Sequence, residues 1–219
     1  TLEKTGLFLK TEKGTFDRFR KRIMFPIFNT AGRVVAFGGR ALDPEDPAKY
    51  LNSPETPLYR KRDIFYGLHS ARQPIREHGY AIFVEGYMDF LQLFQAGIQN
   101  VIALSGTALT ERHALQIRKF THRVVLAYDG DSAGIDASVR AGYLLLRFGI
   151  EPGILQIQDG MDPDDWVRKS GADELKEAVD KAVPVLQFHI QTKDAKSLPS
   201  VQRSEFIRDV VSQISGVSD

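Results

Sequence analysis

Glu85, Asp129, Asp131, Asp159, Asp162 and Asp164 each follow a short apolar run at, or just past, the point where a strand would end. Carboxylates delivered from three separate strand ends would share one edge of a sheet. Such a cluster repels itself and raises its own pKa values unless a cation neutralises it. Oxygen donors with no Cys or His at ligand spacing suit hard Mg²⁺ or Mn²⁺ rather than zinc. Each piece alone has a plainer explanation. Asp162-Pro163-Asp164-Asp165 fits a helix start, with Asp162 as N-cap and Pro163 at the first position. Tyr128-Asp129-Gly130-Asp131 fits a turn, and Glu85 a loop carboxylate. The ordered combination is harder to attribute to chance.

Positioning these acids requires a parallel sheet, because ligands of such sheets bind at the carboxyl ends of the strands. The spacing predicts strands over 81–86, 100–106, 123–131 and 152–160, with Glu85, Asp129, Asp131 and Asp159 at their ends. Helices are expected over 88–97, 109–120 with Thr110 as N-cap, 132–149 and 163–171. Strands that are apolar throughout and alternate with helices indicate a sheet covered on both faces. Upstream, 24–29 and 33–40 flank a turn at Gly32 and read as a hairpin. The proline-rich stretch 41–63 reads as a long structured loop. Downstream, 173–192 and 199–215 carry only helical patterns. The expected fold is α/β (α+β overall): a basic β-rich part over 1–78, a parallel-sheet domain over 79–171 and a helical part over 172–219.

Composition excludes several classes. The 219 residues include no cysteine, which rules out disulfides and a thiolate zinc site within the chain. No apolar run approaches membrane-spanning length. The net charge of +1 hides a gradient, from +6 over 1–78 to −3 over 79–171 and −2 over 172–219. A basic platform beside an acidic one suits a nucleic-acid or nucleotide substrate held against a cation site. The five histidines are scattered and read as structural, Gly38-Gly39 lacks the lysine spacing of a P-loop, and Ser105-Gly106-Thr107 reads as a turn. Among the aromatics of the first segment, Phe28, Tyr50 and Tyr59 could stack on bases, while Phe25 and Phe37 read as core.

Glu85-Gly86-Tyr87-Met88-Asp89, followed by Tyr128-Asp129-Gly130-Asp131-Ser132-Ala133-Gly134, resembles the Toprim signature. With DGMDPDD (159–165) and the upstream RIMFPIFNTAGRVVAFGGR (22–40) and KYLNSPETPLYRKRDIFYGL (49–68), the chain is similar to bacterial DNA primases from about residue 16 to about 190. The resemblance implies that Glu85, Asp129 and Asp131 are the central metal-binding acids. It implies that Asp162 and Asp164 complete the site or hold a second ion, and that Asp89 supports the cluster. Arg40, Lys49 and Lys61 match basic positions that contact template or nucleotide phosphates, with Arg60 and Arg62 as neighbours that could stand in for Lys61.

The family further implies RNA primer synthesis from NTPs on single-stranded DNA, with Mg²⁺ as cofactor, Mn²⁺ as a substitute and no zinc in this segment. It implies contacts with the replicative helicase and single-strand-binding protein through the full-length protein, no membrane, and a cytoplasmic location at the replication fork. This segment is expected to be monomeric and to prime poorly by itself. Two other readings stay open at this point: a DNA-cleaving Toprim enzyme, and a non-catalytic Toprim binding module. The first is a topoisomerase or nuclease, of which a topoisomerase needs a nucleophilic tyrosine from a separate domain, and the second would show a lost acid, whereas every acid of the pattern is present.

Overall fold

The computed structural model describes residues 5–158, 160–195 and 197–217, so the strand-end position expected for Asp159 lies outside the described residues. Ahead of the central sheet, β1 (Phe8–Thr11) and β2 (Gly14–Asp17) form an exposed hairpin. The expected second hairpin is present as β3 (Arg22–Phe28) and β4 (Val34–Ala41), antiparallel with Phe25 opposite Gly38. The proline-rich stretch is more ordered than its composition indicates. Within it, β5 (Tyr50–Asn52) adds a third strand to β4. Arg22, its side chain 6% exposed, pairs with Asp46 at 2.7 Å and donates to the Ala48 carbonyl at 2.6 Å. That buried guanidinium pins the loop where prolines supply no amide donors.

A short 3-10 turn at Lys61–Asp63 leads to α1 (Leu68–His78). The sequence pattern does not announce this helix, because Pro74 sits inside it and removes a backbone donor. Tertiary burial overrides that penalty: Leu68, Ala71 and Ile75 share one face and are packed in the core.

The central sheet has the order β10-β9-β8-β6-β7. Its strands β6 (Ala81–Val84), β7 (Val101–Ala103), β8 (Arg123–Leu126) and β9 (Glu151–Ile154) run parallel, as expected. The intervening helices are α2 (Tyr87–Gln95), α3 (Glu111–Ile117) and α4 (Ser132–Arg147). Ala81 and Phe83 face a layer of α1, α3 and α4, whereas Ile82 and Val84 face α2 and the β3–β4 hairpin. Both faces are therefore apolar. Each fully buried Ile, Leu or Phe contributes roughly 1.5–3 kcal/mol through removal of apolar surface from water.

Two features of the carboxyl-terminal part depart from the sequence pattern. The expected helix over 163–171 and the first half of the helical pattern from 173 join as α5 (Pro163–Asp180), bent at Gly171, whose φ of +84° only glycine adopts readily. Residues 172–219 also contain a strand, β10 (Val183–Pro184), which pairs antiparallel with β9 and closes that edge of the sheet. Two residues are too few for a period-2 pattern to register. After it come α6 (Val185–Thr192), whose Val185 and Phe188 join the core, and α7 (Ser200–Ser215), which buries none of its residues. Among the described residues, no helix is long and apolar enough to cross a membrane.

Candidate active site

β6 and β8 are neighbours, yet the helices that follow them, α2 and α4, pack on opposite faces of the sheet. The order in which strands are added thus reverses between these two parallel strands, and a crevice opens at their carboxyl ends. Glu85 follows β6 directly, and Ser105 N–H donates to its carbonyl at 2.9 Å, fixing its backbone. Asp129 and Asp131 do not end β8, which stops at Leu126. Ala127 and Tyr128 remain buried beyond it, so the apolar run reports burial further than it reports pairing. Asp131 instead caps α4, accepting from Gly134 N–H at 2.8 Å. Asp162 caps α5 as expected, accepting from Asp165 N–H at 2.7 Å, with Pro163 at the first position. Asp164 is paired with Arg168 one turn later, at 2.7 Å.

These segments meet in one place. Gly130 N–H donates to the Met161 carbonyl at 2.9 Å, tying the loop that carries Asp129 and Asp131 to the loop that carries Asp162. A cavity of about 480 Å³ is lined by Glu85, Asp89, Asp129, Asp162 and Asp164 together with Arg40, Lys49 and Lys61. Asp131 lies outside it, in an adjoining cavity that shares Glu85 and Asp129. Lys61 donates to the Gly106 carbonyl at 3.0 Å, while Arg60 and Arg62 do not line the cavity. Tyr50 also lines it, with the Arg40 guanidinium 5.8 Å from its ring centre. The other aromatic candidates divide differently from expectation. Tyr59 is core, Phe37 is only half-buried, and Phe25 is buried as expected, stacked on Tyr87 at 4.9 Å. Stacking across the sheet-to-helix junction, not base contact, is what fixes Phe25.

The electrostatics are those of a carboxylate cluster. Burial raises the Glu85 pKa, reinforced by Asp129 and Asp131 and opposed by the Asp129 backbone N–H. Burial and the Asp162 and Asp131 charges raise that of Asp129. Burial pushes Asp89 up to about 7, with Asp162, Asp129 and Asp164 adding to it, although Gly86 N–H donates to Asp89 at 2.9 Å. Glu85 Oε1 is buried and has no hydrogen-bond partner. A buried, unsatisfied carboxylate oxygen among like charges fits a divalent cation, and all the donors present are oxygens. Among the described residues, however, no three carboxylate or imidazole groups already converge as a ligand set.

A pH dependence follows. A carboxyl whose pKa is higher folded than unfolded favours folding in its neutral form. That contribution is complete below about 4 and is lost as pH rises toward the folded value. For Asp89 the loss spans the window from about 4 up to about 7. Asp89→Asn is therefore expected to stabilise the metal-free protein by roughly 1–3 kcal/mol near pH 8, with a much smaller effect near pH 5. Urea titrations with chelator at both pH values check this.

Sequence reasoning misses one connection. The Tyr87 hydroxyl donates to Asn52 Oδ1 at 2.7 Å, and Asn52 Nδ2 donates to the Ser105 carbonyl at 3.2 Å. Asn52 thus bridges β5 to the start of α2 and to the loop after β7, tying the strand next to Lys49 to the segment that follows Glu85. Its place within KYLNSPET is the only signal the sequence offers. Asn52→Ala removes the partner of the Tyr87 hydroxyl and of the Ser105 carbonyl, both on buried residues, and should cost about 1–3 kcal/mol, measured as a shift in the denaturation midpoint. The turn read at Ser105-Gly106 is present, with φ of 55° and 80°. His113 and His189 are buried in structural hydrogen bonds, to Thr110 and Tyr143 respectively.

Residues 1–72 match the DNA primase catalytic core, N-terminal domain, and residues 82–167 match the Toprim-like family. The DNA primase of Listeria monocytogenes is 47% identical over 174 residues, covering 78% of this chain and 28% of that protein. The E. coli primase catalytic core superposes with a TM-score of 0.88 at 36% identity, covering 99% of this chain and 71% of that one. A DnaG primase catalytic domain bound to single-stranded DNA superposes with a TM-score of 0.87 at 36% identity, covering 99% and 71%. The chain thus spans less than a third of its Listeria relative, but most of a catalytic core.

Proposed function

As this chain belongs to the bacterial DNA primase family, we propose that it is the metal-binding catalytic part of an RNA polymerase that makes primers on single-stranded DNA. The observation that carries this reading is the single cavity lined by five carboxylates together with Arg40, Lys49 and Lys61. Family membership implies a divalent metal, and the oxygen-only donor set makes Mg²⁺ the favoured ion, with Mn²⁺ as a substitute. Glu85, Asp129 and Asp131 would hold it, with Asp162 and Asp164 completing the site or holding a second ion. When bound, such ions stabilise the charge that develops on the attacking and leaving oxygens.

The rest of the chemistry belongs to the side chains. Arg40, Lys49 and Lys61 hold the triphosphate of the incoming NTP and the adjacent template backbone. Lys61 is suited to this because partial burial lowers its pKa, so a bound anion would favour its charged form. The primer's 3′-oxygen attacks the α-phosphorus, the bond to pyrophosphate breaks, and the hydroxyl proton passes to solvent. Catalysis of this kind rests on alignment and charge stabilisation. Asp89 supports the cluster through the Gly86 amide instead of touching substrate. A single-stranded template is supported by the DNA-bound relative. The helicase, the single-strand-binding protein and the cytoplasmic replication fork are its expected setting in the full-length protein.

The test is incorporation of labelled ribonucleotides on single-stranded DNA by the intact protein, with Mg²⁺ and then Mn²⁺. Short RNA chains support the proposal. Strand cleavage of the DNA without RNA synthesis would move the protein to the cleaving branch of the Toprim enzymes. Binding without either reaction would make it a nucleic-acid module.

A further inference from the structure

Nucleotidyl transfer needs two nucleotides on opposite sides of the acids, because attack and departure at the α-phosphorus are in line. The cavity described above accounts for one. A second cavity, of about 520 Å³, shares Glu85 and Asp129 with the first and is otherwise lined by different residues, Gly106 apart. It lies between the loop after β7 and the first half of α4. Asp131 lines its acidic end. Leu104, Leu109, Ala137 and Ala141 give it an apolar floor, and Arg140 stands at its rim.

Three observations mark it as a ligand site. Arg140 is exposed and has no ion-pair partner among the described residues, although it belongs to the acidic part of the chain. Tyr128 lines this cavity and a smaller one of about 210 Å³ beside it, is only 4% exposed, and its hydroxyl is buried without a hydrogen-bond partner. Buried hydroxyls are ordinarily satisfied, so this one has hydrogen-bonding capacity to offer at the cavity wall. Third, the cations are unequally divided. The first cavity holds three, Arg40, Lys49 and Lys61, while this one holds one. Three positive charges suit a triphosphate, and one suits a single phosphodiester.

We propose that this second cavity holds the 3′-terminal ribonucleotide of the growing primer, with Arg140 on its phosphate and its 3′-hydroxyl at Glu85, Asp129 and Asp131. The sugar and one edge of the base lie along the alanine face of α4, leaving the pairing edge to the template. The assignment rests on the nucleotidyl-transfer reading and gives that reading its missing substrate.

The experiment extends a preformed RNA primer on a DNA template by one NTP, using the intact protein. KM is measured separately for the primer and for the NTP. Arg140→Ala, and Ala137→Leu to fill the floor, should each raise the primer KM about tenfold with little change in the NTP KM, and Arg140→Lys should recover part of the loss. Lys49→Ala should show the reverse split. Unchanged constants in both cavity variants, or a rise in the NTP KM instead, overturns the inference while leaving primer synthesis intact. A readout independent of turnover is photocrosslinking of a primer ending in 8-azidoadenosine, with the labelled peptide identified by mass spectrometry. Label within 104–109 or 132–147 supports the assignment even if no RNA is made. Label confined to the Arg40–Lys61 region overturns it.

Discussion

Glu85→Gln and Asp129→Asn are each expected to lower RNA synthesis on single-stranded DNA about a thousandfold, with the fold intact. Both substitutions keep the shape of the side chain and remove one charge. They act where charge matters most: Glu85 Oε1 is buried with no partner, and Asp129 lies on the walls of both cavities. Burial and neighbouring carboxylates already oppose ionisation at both positions. Neutralising either one should therefore leave the metal-free protein at least as stable as before. The cost appears only when a cation must bind. Mg²⁺ should raise the melting temperature of the unsubstituted protein, since binding to the native state alone stabilises it, and should raise that of either variant much less. Synthesis that survives both substitutions would remove the acids from the mechanism. Synthesis lost together with the fold would make them structural, and far-ultraviolet circular dichroism separates the two outcomes.

How much of this is legible in the sequence depends on how local each cause is. The four parallel strands, the caps at Thr110 and Asp162, and the hairpin around Gly32 are all visible, because apolar runs and capping side chains act over a few residues. Elements held by distant partners are not. α1 contains Pro74 and persists through the burial of Leu68, Ala71 and Ile75. β5 and β10 are three and two residues long and exist because a neighbouring strand offers them an edge. The limits of β8 are overstated for a related reason. Val124 to Tyr128 are all buried, but the strand ladder ends at Leu126. In the site, the acids are readable as types and spacings, whereas the Asn52 bridge and the second cavity depend on where loops far apart in sequence come to rest. The cap made by Asp131 is the exception: an Asp before Ser132-Ala133-Gly134 and a helical pattern is a local signal in its own right.

The loop contact at Gly130 links stability to activity, so one added carbon there should damage both. A Cβ at residue 130 would lie 2.3 Å from the Gln158 carbonyl oxygen and 2.9 Å from that of Ile157. Both obstacles are backbone, so no side-chain rotation relieves them. The Gly130 N–H to Met161 bond of 2.9 Å holds the same two loops together. Gly130→Ala must therefore push the loop of Asp129 and Asp131 away from the loop leading to Asp162 and Asp164. The expected cost in stability is about 1–3 kcal/mol, the usual range for forcing an extra carbon into a packed site. The expected loss of synthesis is about a hundredfold, because alignment of the acids is disturbed by a fraction of an ångström or more. Denaturant titration and single-nucleotide extension on the same preparation measure both. The two acid substitutions spare stability and abolish chemistry, whereas Gly130→Ala should lower both together. A Gly130→Ala protein with full synthesis would mean that the two acidic loops work independently, leaving Asp162 and Asp164 as helix-start residues only.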